Sequence, residues 1–581
     1  MDNFEHVIDA APVVASLLVN GDRLRILVTS RAPLHVSGER EFPVPPMSVP
    51  IPARNEKADQ LLTYEGITLF EQRAREVRPG FSITPGNARA VAEICSRLDG
   101  LPLAIELAAA KSRFLTPADI AGRLEDALSL LSGRSRDRPE RQQTLRNAIA
   151  WSYGLLEEHP KALLRTLGIF SGGWTFEAAE AVCANQTGET GDLLQGMQAL
   201  VDNSLVVMRE DDITGESRFF MLQTIREFAL ECLGEVGERE DLRRRHAMYF
   251  LALVRKADEN MFVVGMKWPD RLEAEHDNLR AALRWAKETR NAEAGLELAT
   301  CAWRFWQVRS HLAEGRRQLT ELLDMEESRD IPHLRAPALN AIGGLAYWQN
   351  DFDATRGYYQ EAHDTYSVTG KVTGLAESLY NLGFLSLIER RPDEALETHQ
   401  RSLAIYEQVE DESGVAYSKW AIGMAHLQRR ELDAAHRLAL EARETFDRLE
   451  NWFGQSLVDF ILYQVERLAG NHEEALRMMI ASLDLPGVTG DVSSMTSLIE
   501  LLADSLIALG HARLGVRLAA GADRAGREYG GGAPPALLEV SDPRDLARAQ
   551  LNDDEIEAAW AEGARLSLDE IIALARKGGE A

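Results

Sequence analysis

Two stretches of the chain share one pattern: GFLSLIERRPDEALETHQRSLAIY at 383–406 and GMAHLQRRELDAAHRLALEARETF at 423–446. A glycine opens each stretch, an aspartate followed two positions later by an alanine stands in its middle, and an aromatic residue closes it. Small residues let two helices approach closely, and the macrodipole favours an acidic residue where a helix begins. The pattern therefore predicts one pair of packed helices per repeat of about 40 residues.

The same pattern continues on both sides of these stretches. The recurring positions are Gly343, Gly383 and Gly423, followed by Tyr463; Asp353, Asp393, Asp433 and Glu473; Thr355, Ala395, Ala435 and Ala475; and Tyr366, Tyr406 and Phe446. Extending the period to Trp303 and Gly315, and to Ala503 and Gly515, places about six units between 295 and 528. These units predict an α-solenoid of the tetratricopeptide kind, with a helical cap at 536–581.

The sequence pattern of residues 1–60 predicts part of a truncated α/β domain. Phe4, Val7, Ala11 and Val14 recur at helical spacing, and the apolar run at 24–28 predicts a buried strand of the type found in parallel sheets. One strand cannot make a sheet, so we expect this segment to be poorly packed or borrowed onto the next domain.

Residues 61–294 predict three further parts. Helical periodicity fills 61–135, where Thr116-Pro117 is a typical helix start. Within 136–235, helices surround two short strands at 205–209 and 218–222, the order of a winged helix. A helical linker at 236–294 leads to the repeats, so the whole chain is predicted to be mainly α.

Composition restricts the partners. The net charge of −27 repels phosphate backbones and anionic lipid, which disfavours direct DNA or membrane contact. The N-terminus lacks the order of a signal peptide and no apolar run could span a bilayer, so we expect a cytoplasmic protein. The four cysteines, Cys95, Cys183, Cys232 and Cys301, have neither CxxC nor metal-ligand spacing and are predicted to be buried, reduced thiols.

Histidines and aromatic residues give weaker signals. Five histidines lie scattered over predicted helices without the pairing that a zinc hydrolase needs, so no metal site is predicted; they are His246, His276, His311, His363 and His436. An aromatic cluster is predicted to pack the solenoid interior, with the alternative that some members line a concave ligand groove; it comprises Trp303, Trp306, Tyr347, Trp348, Tyr358 and Tyr359.

Several motifs, in this order, carry a resemblance over almost the whole chain: MDNFEHV at 1–7, LVTSRAPL at 27–34, GLPLAIELAA at 100–109, LQTIREFA at 222–229 and EHDNLRAAL at 275–283. They resemble bacterial STAND-type, NB-ARC-like signalling ATPases, the core of large transcriptional regulators of the AfsR and LuxR types. The resemblance implies that 1–60 is a truncated ATPase core running from the Walker B strand to the sensor region, and that 61–135 is its helical arm domain.

The resemblance also implies roles for single residues. Asp2 would be the Walker B carboxylate that orients Mg²⁺, and Asn3 stands where many relatives carry a second acid. Arg31 would be the sensor arginine that reads the γ-phosphate, and Pro102 the proline that packs on adenine. The alternatives are a strand-end surface arginine and a first-turn helix proline. Leu222 occupies the place of a histidine that contacts bound diphosphate in related switches, and leucine cannot donate that hydrogen bond.

The main departure from the family is the phosphate-binding loop. No Gly-x-x-x-x-Gly-Lys-Ser/Thr occurs in the sequence, and that loop holds the β- and γ-phosphates. We therefore expect no ATP hydrolysis, no catalytic residue and no enzyme activity, with ATP, ADP and Mg²⁺ bound only if the loop is supplied elsewhere.

Three functions remain open at this stage. The first is a regulatory protein whose repeats bind a protein or peptide on their concave face, with room for a small-molecule inducer. The second is an ATP/ADP-dependent transcriptional regulator whose phosphate loop is supplied upstream or in trans. The third is a DNA binder that uses the winged helix, which the acidic composition disfavours.

Overall fold

A computed structural model describes residues 1, 4–20, 24–30, 33–42, 44–50, 58–124, 145–183, 190–211, 214–263, 266–483, 492–529, 537 and 540–578. The chain is mainly α-helical, as predicted, and divides into two compact units, Met1–Tyr249 and Phe250–Ala581. No helix among the described ranges combines the length and the apolar character needed to cross a bilayer.

The first unit contains short helices and one small sheet. Its elements are a 3-10 helix Phe4–Ala10, α1 Ala11–Asn20, α2 Ala58–Leu61, α3 Glu65–Val77, α4 Ala88–Arg97, α5 Pro102–Ala110, a 3-10 helix Lys111–Arg113, α6 Pro117–Arg123, α7 Leu145–Gly154, α8 Glu158–Leu167, β1 Trp174–Thr175, α9 Phe176–Cys183, α10 Thr190–Asp202, β2 Val207–Glu210, β3 Ser217–Phe220 and α11 Gln223–Val236. Helix α12, Arg239–Glu259, contains the boundary to the second unit.

The predicted N-terminal helix is present, but the predicted buried strand is wrong. Phe4, Ala11 and Val14 are buried in one small cluster, as their helical spacing indicates, whereas Val7, the other predicted member of this face, is 53% exposed in the 3-10 helix. Residues 24–30 are extended and form no strand, although the amide of Phe4 donates to the carbonyl of Thr29. Leu27 is 84% exposed. A strand of a parallel sheet is buried on both faces, whereas no described residue covers the outer face of this segment.

The arm helices agree with their prediction. Thr116 caps α6 through a capping box with Asp119, which explains why the helix begins at Pro117. The buried sides of α3, α4 and α5 form the interior of this part of the unit. Residues 125–144, which follow α6, lie outside the described residues.

The next part holds an antiparallel three-stranded sheet in the order β1-β3-β2. The predicted hairpin is confirmed as β2 and β3, paired from Val207↔Phe220 to Glu210↔Ser217. Strand β1 and helix α10 were not predicted. Strand β1 is too short to show alternation, and Gly196 inside α10 weakens its helical pattern although it packs closely against Leu163.

The second unit is built from helices that begin at regular intervals along the chain. After α13 Lys267–Ala274 and α14 His276–Glu288, six pairs follow, as predicted: α15 Ala292–Val308 with α16 Leu312–Leu323, α17 Pro332–Trp348 with α18 Phe352–Thr369, α19 Val372–Ile388 with α20 Pro392–Gln408, α21 Glu412–Gln428 with α22 Leu432–Arg448, α23 Trp452–Leu468 with α24 His472–Ser482, and α25 Val492–Ala508 with α26 Ala512–Tyr529. A 3-10 helix, Glu326–Asp330, precedes α17. The C-terminal helices are α27 Pro543–Ala547, α28 Asp553–Gly563 and α29 Leu568–Gly578.

A repeated turn explains the regular spacing. Many of these helices end next to a residue with positive φ, for example Asn350, Arg390 and Arg430, which recur at the interval of the repeat. The next amide then donates back into the last turn of the helix, as Arg391 does to the carbonyl of Ser386 at 2.8 Å. This is the Schellman turn, which ends one helix and returns the chain for the next.

Close helix contacts occur at the predicted glycines. A Cβ at Gly343 would lie 2.5 Å from the ring of Tyr359, and one at Gly383 would lie 2.8 Å from the ring of His399. The predicted cap also forms, because Ile571 of α29 is buried in the same cluster as Leu506 of the last pair.

Candidate functional site

The residues predicted to be a nucleotide-site remnant divide into two groups. Asp2, Asn3 and Arg31 lie outside the described residues. Pro102 is an exposed residue in the first turn of α5, and Leu222 is the half-buried N-cap residue of α11. The geometry of Pro102 is that of the first-turn helix proline.

One contact joins the chain segments next to Pro102 and Leu222. The amide of Gln223 donates to Oδ2 of Asp99 at 2.7 Å, although the two residues are far apart in the sequence. Burial raises the pKa of the Asp99 carboxyl to about 6, although the hydrogen bond from Gln223 opposes this rise. The carboxylate of Asp99 thus caps the start of α11, and no sequence motif had indicated this role.

A well-formed cavity with a volume of about 630 Å³ lies inside the repeats. Its walls come mainly from the first helices of five successive pairs, α15, α17, α19, α21 and α23. Aromatic side chains dominate the lining: Trp303, Tyr347, Trp348, Tyr359, Tyr366, Tyr380, Phe384, Tyr406, Tyr417, Trp420, Phe453 and Phe460.

A short strap, defined here as Met261–Val263, reaches across the repeats to close one side of the cavity. The amide of Trp452 donates to the carbonyl of Phe262 at 3.1 Å, and Val263 forms a β-bridge with Asn451. The ring of Phe262 stacks on Phe453 with centroids 4.7 Å apart. The strap therefore joins the segment before the repeats to the fifth helix pair.

Arg304 is a cation of the cavity lining that contacts aromatic rings. Its guanidinium lies over the ring of Trp303, 3.7 Å from the centroid, with Phe262 at 5.6 Å. It forms no ion pair or hydrogen bond with any described residue. Burial lowers the pKa of this guanidinium.

Two carboxylates face the same part of the cavity. Burial raises the pKa of Asp258 to about 6 and raises that of Glu377, while the charge of Arg304 opposes both rises. Glu377 lines the cavity and is exposed at its surface. Neither acid forms an ion pair closer than 4 Å with a described residue.

An adjoining pocket of about 310 Å³ shares Asp258, Arg304, Asn340 and Glu377 with the cavity and adds Thr300; these five residues are called the polar floor here. Asn340 is only 5% exposed; its amide interacts with the Glu377 carboxyl and opposes the rise of that pKa, although neither of its polar atoms completes a hydrogen bond with a described residue. The hydroxyl of Thr300 is likewise buried without a partner among the described residues. Buried polar groups normally have partners, so this floor presents several groups that a ligand could satisfy.

Members of the predicted aromatic cluster occupy both predicted positions, the solenoid interior and the wall of a ligand cavity. Trp306 is 1% exposed and packs the interior. Trp303, Tyr347, Trp348 and Tyr359 line the cavity. Tyr358 is half-buried and is not part of this lining.

The cysteine prediction needs revision for two of the four residues. Cys95 and Cys183 are buried free thiols, whereas Cys232 and Cys301 are only partly buried because each lies near a helix surface. Burial raises the pKa of Cys95 and of Cys183 to about 12, so both thiols stay protonated at neutral pH.

The histidines are less scattered than their sequence positions indicate. His276 begins α14 and His311 is the N-cap residue of α16, yet their ring centroids are 4.4 Å apart. Together with Glu273 at the end of α13, they place one ligand atom each within 4.8 Å of the others. The two histidines are separated by more than a whole helix, which hid this grouping from a search for short motifs.

The tetratricopeptide repeat family matches residues 334–408, the segment that contains α17–α20. Residues 334–408 are tetratricopeptide repeats. The predicted solenoid type is therefore confirmed at its centre, and the cavity lies in the helix pairs that include these tetratricopeptide repeats.

Two curated relatives resemble longer parts of the chain. A protein of Mycobacterium tuberculosis named "Putative HTH-type transcriptional regulator" is 40% identical over 352 residues, which are 60% of this chain and 38% of the relative. An uncharacterized protein of the same organism is 39% identical over 248 residues, 42% of this chain and 59% of that protein. The chain thus spans less than two thirds of each of these relatives, and the predicted resemblance to large regulators is confirmed.

One solved structure is similar to this chain over most of its length. It is a STAND protein with a tetratricopeptide repeat sensor from Pyrococcus horikoshii, and it is 14% identical. The superposition covers 99% of this chain and 82% of the other, with a TM-score of 0.40.

Proposed function

We propose that this chain acts in a signal-transduction regulator of the STAND ATPase class, and that its tetratricopeptide repeats sense a ligand in the aromatic cavity. The observation that carries the proposal is the polar floor, where Arg304 and Glu377 lack ion-pair partners among the described residues inside an apolar enclosure. Charged groups in such places are costly to keep unless a ligand or a network satisfies them. Functional sites are where such groups collect.

The size of the cavity favours a small molecule or a short peptide segment over a folded protein. Small-ligand sites usually have volumes of roughly 300–1,000 Å³, and this cavity has about 630 Å³. A ligand carboxylate would pair with Arg304, and a ligand amine would pair with Glu377 or Asp258. The aromatic walls would contact an apolar or cationic part of the ligand.

Ligand sensing is tested with a pool of random-sequence heptapeptides. The pool is passed through gel filtration together with the protein, and the peptides that the protein retains are identified by mass spectrometry. We expect the wild type to retain a subset of peptides that the double variant Arg304→Met and Glu377→Gln does not retain. The matched control is Arg448→Met and Glu412→Gln, which neutralises an exposed ion pair of the same repeats. Equal retention by all three proteins, or none by the wild type, contradicts the proposal.

Nucleotide hydrolysis is not part of the proposed activity of this chain. Phosphoryl transfer depends on positioning and electrostatic stabilisation, and the sequence contains no phosphate-binding loop to provide them. Isothermal calorimetry with ATP and ADP in the presence of Mg²⁺ tests this. We expect no heat of binding, whereas micromolar affinity for either nucleotide would contradict it and favour a nucleotide-dependent regulator.

DNA binding is the second candidate, because one relative is named as an HTH-type regulator. The order from α8 to β3 is that of a winged helix, in which α10 would be the helix to enter the major groove. Helix α10, however, contains no lysine or arginine, and it carries Asp192 and Asp202. Phosphate contacts need cationic side chains, so we propose that this part is a structural module. A gel shift with random duplex DNA at moderate salt should show no complex.

A further inference from the structure

We propose that Glu273, His276 and His311 bind one divalent transition-metal ion, with zinc as the candidate. The three residues come from the end of α13, the start of α14 and the turn before α16. Two imidazole nitrogens and one carboxylate oxygen form a typical three-ligand zinc set, which leaves a position for water. This site is separate from the aromatic cavity, and its test does not depend on the proposed function.

The distances suit a shared ion. Nε2 of His311 lies 3.0 Å from Oε2 of Glu273, and all three ligand atoms lie within 4.8 Å of one another. Ligands about 2.0–2.1 Å from one zinc ion are about 3.3 Å apart in tetrahedral geometry, so only small side-chain rotations are needed. Backbone movement is not required.

The environment of His276 gives a second, independent observation. Its side chain is 7% exposed and packs edge-on against Phe305. Nε2 of His276 lies 3.3 Å from Oε1 of Glu314. In metal-bound histidines a carboxylate commonly orients the ring through the nitrogen that does not bind the metal, so Glu314 at Nε2 leaves Nδ1 of His276 for the ion.

The charges around the cluster also favour a dication. Glu314 is paired with Arg280, which also contacts Asp277, and Arg309 is paired with Asp270. Together with Glu273, this group contains four carboxylates and two guanidinium groups. Two carboxylate charges therefore have no guanidinium partner within the group. Either two protons on the imidazoles or one divalent cation can balance them. The measurement must therefore separate a metal site from an ion-pair network.

The experiment uses the full chain after chelator treatment, titrated with ZnCl₂ by calorimetry at pH 7.5. We expect one saturable zinc ion per chain, and we expect the variant His276→Gln and His311→Gln to bind it at least about 100-fold more weakly. The control variant His363→Gln and His436→Gln removes two histidines of the repeats that lie outside the cluster, and it should bind zinc like the wild type.

A spectroscopic measurement covers the case in which the ligand variant does not fold. Co²⁺ bound to the wild type should show the visible absorption of a low-symmetry site, and ZnCl₂ should displace it stoichiometrically. Binding should weaken as the pH falls through the range in which histidine is protonated, since protons compete with the metal. The absence of saturable zinc binding, or equal affinity in the wild type and the ligand variant, would show that the cluster is an ion-pair network and would overturn the proposal.

Discussion

At the scale of single residues, close contacts in this protein depend on glycines that stand opposite aromatic rings. A Cβ at Gly374, Gly414 or Gly454 would lie 2.3 Å from an atom of Tyr366, Tyr406 or Phe446, respectively. These glycines recur with the period of the repeat, together with the aromatic residues that the sequence pattern contains. Each ring of the second helix therefore lies directly on the backbone of the next first helix.

Replacing Gly414 by alanine should destabilise the repeats, because the ring of Tyr406 is 8% exposed and has little room to move. We expect a loss of about 2–4 kcal/mol in the free energy of unfolding, as in overpacked cores. The control is Gly357→Ala, where a Cβ meets no atom within 4 Å inside helix α18 and should stabilise by about 0.5–1 kcal/mol. Thermal unfolding followed by circular dichroism compares the two, and equal effects would contradict this account.

Asp99 should make stability depend on pH. Its folded-state pKa of about 6 lies above the usual value of an aspartate, so the folded state holds the proton more tightly. Stability is therefore lost as the pH rises from about 4 to about 6, and the penalty stays constant above that range. Asp99→Asn keeps an acceptor for the Gln223 amide and removes the charge. We expect it to gain about 1–2 kcal/mol relative to wild type at pH 7 and nothing at pH 4. Urea unfolding at both pH values would detect this difference, and a gain independent of pH would contradict the assignment.

At the scale of elements, the regular helix pairs are joined by apolar contacts and by a few enclosed ion pairs. Arg467 of α23 and Asp504 of α25 are 3.1 Å apart, with side chains 9% and 11% exposed. The ion pair between Arg448 and Glu412 has a similar distance, but its side chains are 55% and 60% exposed. The first pair therefore holds two successive units together in a low-dielectric environment, whereas water screens the second.

Asp504→Ala should leave the buried charge of Arg467 without this carboxylate. We expect a loss of about 3–5 kcal/mol in the free energy of unfolding. Glu412→Ala, which breaks the exposed pair, should cost less than about 1 kcal/mol. Chemical denaturation compares both variants. Similar losses in the free energy of unfolding would show that the burial of an ion pair does not decide its contribution to stability.

At the scale of the whole second unit, the strap is the contact that encloses the cavity. It joins Phe262 to Trp452 and Phe453, which lie four helix pairs further along the chain. Without the strap, the aromatic walls of the repeats would face solvent on that side. Ligand exchange through this side would then require the strap to move.

Phe262→Ala should weaken the attachment of the strap without unfolding the repeats. We expect faster hydrogen exchange at the amide of Trp452, which donates to the carbonyl of Phe262, and little change within α19 and α20. Phe114→Ala, at a side chain that is 70% exposed, serves as the control and should leave exchange at Trp452 unchanged. Unchanged exchange in Phe262→Ala would show that backbone contacts alone hold the strap.

The sequence was sufficient where local rules determine the structure. The period of the repeat predicted six helix pairs, and the small residues at Gly343 and Gly383 predicted close helix contacts. It was insufficient where burial depends on neighbours, as at Leu27, whose apolar run forms no buried strand. The nucleotide-site residues Asp2, Asn3 and Arg31 remain predictions, because they lie outside the described residues.

The amino-acid sequence by itself determined the repeat and its helix pairs, because helix spacing and capping depend on residues a few positions apart. Only the tertiary structure decided which distant groups meet: the strap with Phe453, Arg304 beneath its aromatic cover, and His276 with His311 and Glu273. These contacts join segments that are far apart in the sequence, and chain folding rather than sequence spacing brings them together.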